Sequence, residues 1–79
     1  MKYEVGDYIY SEYKPYWCFI FKITSIDSLF TYGILLKSDF KFGDNKKIGE
    51  KESFSNDAPI VEYIKIVSKN LDDIMVYLL

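Results

Sequence analysis

The sequence predicts a mostly β domain: a small five-stranded antiparallel barrel or strongly bent sheet, closed by one short C-terminal helix. Three observations predict it. Apolar residues alternate with a period of two in several segments. Isolated Gly, Pro, Asp and Ser residues break the chain between those segments. After Ser68 the apolar period lengthens to that of a helix. The 79 residues fit a single domain, 1–79.

Element by element, Gly6-Asp7 forms a turn and feeds a short strand, 8–10. Pro15 disfavours helix at Lys14 and delays the next strand. That strand, 17–25, sets Trp17, Phe19, Phe21 and Ile23 on one face and Cys18, Ile20, Lys22 and Thr24 on the other. Both faces are partly apolar, so the strand is central or covered on both sides. Ile26-Asp27-Ser28 turns the chain into a partner strand, 29–38, where Gly33 marks a bulge or bend. A polar loop carrying Phe40 and Phe42 leads to an edge strand, 48–54. A break at Ser55 to Pro59 precedes a strand over 60–67. Asn70 with Asp73 three residues on resembles a capping box, and Leu71, Ile74, Met75 and Leu78 share one face of a helix over 71–78.

Val5-Gly6-Asp7-Tyr8-Ile9, together with five strands and a terminal helix, resembles the opening of a Src-homology-3-like small barrel. The match covers about five residues plus the element order. The resemblance implies a fold and carries no function: the acidic loop and proline-pocket pattern of peptide-binding members are missing, as are the basic loops of ribosomal members.

Composition excludes more than it assigns. All ten bases are lysine, set against 12 acids, for a net charge of −2. Arginine and histidine are absent. There is neither a guanidinium fork for phosphate nor an imidazole for acid–base work near neutral pH. The two halves of the chain each carry one net negative charge, so no basic half marks a nucleic-acid footprint. Lys41, Lys46, Lys47 and Lys51 interleave with Asp44, Glu50 and Glu52 and read as a solvated loop. Cys18 is the sole cysteine, which excludes an internal disulfide and argues against zinc. Glu50 with Glu52, and Asp72 with Asp73, are the candidate paired carboxylates, and each suits a solvated surface. The expectation is a non-enzymatic protein with no catalytic residues, no cofactor and no metal. No stretch approaches the ~20 apolar residues of a membrane helix. Neither that feature nor a signal peptide being present, we expect the cytoplasm of a microbe or of an infected cell.

The aromatics are the informative feature. Fifteen are present, and Tyr8, Tyr10, Tyr13, Tyr16 and Trp17 fall within ten residues. So thin a core has little room for all these rings and for partners to every hydroxyl. If Ile9 points inward, Tyr8 and Tyr10 point out. The predicted partner-binding surface is therefore Tyr8, Tyr10, Tyr13, Tyr16 and Trp17, aided by Phe40 and Phe42, and the predicted partner is another protein. Short, arginine-free, weakly acidic domains of this type resemble accessory proteins of phages and mobile elements. Some of those, anti-CRISPR proteins among them, inhibit by occupying a surface of a host complex. Two other readings are a single-stranded nucleic-acid-binding barrel, disfavoured by scarce lysine near the rings, and a self-associating subunit such as a homodimer.

Overall fold

A computed structural model describes residues 3–40 and 48–78, with the backbone alone of Phe40. Five strands form one antiparallel sheet: β1 (Tyr8–Tyr13), β2 (Trp17–Ile26), β3 (Phe30–Phe40), β4 (Lys51–Ser55) and β5 (Ile64–Ser68). Helical turn α1 (Pro59–Glu62) separates β4 from β5, and helix α2 (Asp72–Leu78) follows β5. The spatial order is β4-β3-β2-β1-β5. Among the described residues β4 and β5 remain edges, so the sheet is bent and open rather than a closed barrel. No helix among the described residues is long and apolar enough to cross a membrane.

β2 lies at the centre, paired with β1 on one side and β3 on the other. Its inner face carries Phe19, Phe21 and Ile23 into a cluster with Tyr3, Ile9, Leu35 and Phe54. Two bulges interrupt its pairing with β3, one at Leu36 and one at Thr24. An extra residue flips the alternation and bends a strand. Leu35 thus faces the inner cluster while Leu36 joins the outer one. Gly33 stands opposite Ile23 beside the second bulge. A Cβ there would lie 2.0 Å from the Lys22 carbonyl oxygen and 2.6 Å from the Phe21 ring, so the bend requires glycine.

The Gly6-Asp7 turn forms as expected, with Gly6 at φ +93°. Asp7 is buried and accepts the Glu4 amide at 2.8 Å and the Lys69 ammonium at 3.0 Å. This pair ties the first turn to the link between β5 and α2.

The inner face is closed by the segment between β4 and α1. The hydroxyl of buried Thr31 donates to Asn56 Oδ1 at 2.7 Å, which leaves Tyr3 OH to donate to Thr31 Oγ1, also at 2.7 Å. Ala58, Ile60, Val61 and Ile64 then pack over the cluster.

The strand expected over 60–67 is corrected to a helical turn followed by a shorter strand. Ala58 is extended and Pro59 opens the turn, where its fixed φ suits the first helical position and its missing N–H costs nothing. The helix expected over 71–78 is present as Asp72–Leu78. Asn70 Oδ1 accepts the Asp72 amide at 3.0 Å, a side-chain cap one step removed from the box the sequence suggests. Of the four residues expected on its buried face, Ile74 is buried and Leu78 half-buried, whereas Leu71 and Met75 are exposed.

Candidate functional site: an aromatic cluster at one end of the sheet

β1 and β2 are joined by Lys14-Pro15-Tyr16, with a cis Lys14–Pro15 bond, and Tyr13 pairs directly with Trp17. Opposed residues in an antiparallel pair hold their side chains against each other. The Tyr13 and Trp17 rings accordingly meet edge to face, with centroids 5.2 Å apart. The Tyr16 amide donates to the Tyr13 carbonyl at 2.7 Å, and this tight turn brings the Tyr16 ring to 5.2 Å from that of Tyr13.

The fourth ring comes from fifty residues further along. Tyr63 ends α1, and its carbonyl accepts the Glu12 amide at 3.2 Å. That bond sets the Tyr63 ring parallel to Tyr13, at 4.4 Å and 15°. Trp17 closes the group edge to face with Tyr63 at 5.5 Å. Tyr13 therefore touches all three other rings.

The base of the cluster is anchored. Trp17 Nε1 donates to Ser11 Oγ at 3.2 Å, and fully buried Ser11 donates to the Ile60 carbonyl at 2.7 Å. Trp17 also packs against the inner core. Tyr13 and Tyr16 remain 40% and 42% exposed. Lys14, Pro15 and Glu62, which adjoin the rings in the chain, are exposed. A rigid base under exposed tyrosines offers large apolar area with little rotamer freedom left to lose on binding.

The structure thus unites three of the predicted residues, Tyr13, Tyr16 and Trp17, and separates two. Tyr8 is half-buried on the outer sheet face, with the Lys22 ammonium 5.4 Å above its ring. Tyr10 is buried, which corrects the expectation that it points to solvent whenever Ile9 points inward. Both are covered, because β1 has the inner core on one side and α2 on the other. The Tyr10 ring stacks on Tyr77 at 4.5 Å, and its hydroxyl donates to Glu12. Burial, then the Glu12 bond, then Cys18 hold the Tyr10 phenol above its ordinary value of 10.0. Phe40 contributes a β3 backbone position opposite Trp17, its side chain lying outside the described residues, as does all of Phe42. Lys41, Lys46 and Lys47 lie outside them too. Tyr63 is the member that sequence reasoning missed. Its signal was Pro59, which starts a turn instead of a strand and so redirects Tyr63 toward Tyr13.

The class these features define is a small, mostly β antiparallel-sheet domain with a cluster of aromatic rings at one end. No family model, no curated protein and no solved structure matches the chain.

Proposed function

We propose that this chain is a non-enzymatic protein-binding domain that docks through Tyr13, Tyr16, Trp17 and Tyr63. One observation carries the reading: four rings converge at the end of the sheet, with two of them about two-fifths exposed over a hydrogen-bonded base. Tyrosine and tryptophan dominate binding energy at interfaces because they desolvate much area at low entropic cost. Binding of this kind acts by occupying a partner's surface. An inhibitor of a host complex, in the manner of the anti-CRISPR proteins of phages, is the form of it that the composition suggests. The element order, with β5 returning beside β1 after α1, supports reading the open sheet as Src-homology-3-like.

The test is affinity capture by the full chain, repeated with Tyr13→Ala and Tyr16→Ala. Each truncation should weaken capture of the specific partner by about 2 kcal/mol, roughly thirtyfold. Equal recovery by all three proteins overturns the assignment. Titration with labelled single-stranded oligonucleotides at two salt concentrations runs alongside. Salt-sensitive binding there would favour the nucleic-acid reading instead.

A further inference from the structure

From Ile74 onward α2 reads Ile-Met-Val-Tyr-Leu, apolar on every side, yet the sheet takes only one side of it. Ile74 is fully buried, while Val76 is 67% and Met75 48% exposed, flanked by Leu71 at 37%. A helix apolar all round is ordinarily enclosed. Asp72, Met75 and Val76 stand at i, i+3 and i+4, so they form a single outward stripe.

The two ends of that stripe carry opposite charge. Asp72 and Asp73 occupy the first turn and are exposed. At the other end the Lys37 ammonium donates to the Tyr77 carbonyl at 2.7 Å. A two-fold axis perpendicular to α2 sets two copies of the helix antiparallel. The acidic end of each then meets the lysine end of the other, the helix dipoles oppose, and Met75 and Val76 meet their counterparts at the centre. The face is complementary to itself, so the partner that fits it is a second copy.

We propose that this chain forms a two-fold homodimer through the outward stripe of α2, with Met75 and Val76 at its centre and Asp72 facing Lys37 of the other copy. The stripe is narrow beside the ~1,200–2,000 Å² of a stable interface. The dimer is therefore concentration-dependent. It uses residues distinct from the aromatic cluster and stands independently of the function proposed for it.

Sedimentation equilibrium of the full chain over a concentration series tests this. The weight-average mass should rise from one copy toward two and stop there. Val76→Glu and Met75→Lys each change an exposed side chain, so both should stay folded by circular dichroism and remain at the mass of one copy. Lys37→Glu and Asp72→Lys should each weaken association about two- to fivefold. Their combination should restore it, which a purely structural effect on α2 would not do. A single-copy mass at all concentrations, association unchanged by Val76→Glu, or growth beyond two copies overturns the proposal.

Discussion

The two faces of the sheet are closed by different means. On the inner face, residues from β1 to β4 and from the N-terminal segment converge on Phe21, and the chain from Asn56 to Ile64 wraps over them. The rings interlock: Phe19 stacks on Phe21 at 5.3 Å, and Phe54 meets Phe21 edge-on at 5.2 Å. On the outer face, Tyr10 and Ile20 are covered by one seven-residue helix whose single fully buried side chain is Ile74. A helix that short is not stable alone in water. Its order is borrowed from Ile74 and from the Tyr77–Tyr10 stack. The inner face is thus the folding core, and the outer face is a lid whose stability is local.

That contrast breaks most severely at Phe21. The side chain is fully buried, and truncation to alanine removes the ring that Phe19 and Phe54 both touch. The expected cost is about 3–5 kcal/mol. A chain of 79 residues has roughly 4–12 kcal/mol in total. Urea titration of Phe21→Ala should therefore show a protein at or near the limit of folding.

Ile74→Ala should behave differently. Its cost is about 2–4 kcal/mol where α2 packs, but much of that should appear as local opening. Cys18 reports it directly: it is the only thiol, is half-buried, and packs against the cluster that Tyr10, Ile20 and Ile74 form. Its reaction with a disulfide reagent should accelerate about tenfold or more in Ile74→Ala, with a smaller shift of the urea midpoint than Phe21→Ala gives. An acceleration no larger than the fall in global stability accounts for would mean that the two faces open as one unit.

The inner face was largely legible in the sequence and the outer face was not. Alternation in β2 identified Phe19, Phe21 and Ile23 as one face, because strand periodicity is a local property, and Gly33 marked the bend in β3, where the bulge at Leu36 turns Leu35 inward. Ile60 to Val67 misled because Ile60 and Ile64 suit either period, and Pro59 decides between them. Tyr10 misled for a different reason. Whether it meets water depends on Tyr77, which is sixty-seven residues away in the chain and stacks on it only after α2 has docked. The aromatic cluster divides the same way. Tyr13, Tyr16 and Trp17 are close in sequence and were legible, whereas Tyr63 arrives through α1 and the Glu12 amide bond.

The smallest effect, and the one that sharpens the contrast most, is alkaline. Tyr10 is held above its ordinary value of 10.0, first by burial under α2, then by its bond to Glu12, then by Cys18. A raised native value means that the unfolded chain loses this proton first. The stabilisation is complete below pH 10 and is lost as the pH climbs above it. Lys69, raised by Glu4 and then Asp7, and Tyr32, raised by its bond to Asp27, act in the same direction. The comparison with Tyr10→Phe therefore carries the result, and not the wild-type curve alone. That substitution should cost about 1 kcal/mol at neutral pH by deleting the Glu12 bond. It should also flatten the fall of the urea midpoint above pH 10, and shrink the late-titrating component of the tyrosinate absorbance to that of Tyr32. Parallel curves for the two proteins would mean that Tyr10 loses its proton as readily in the folded chain as in the unfolded one. The weakness of the outer face would then lie in its packing at Ile74 and not in the charge that Tyr10 can acquire.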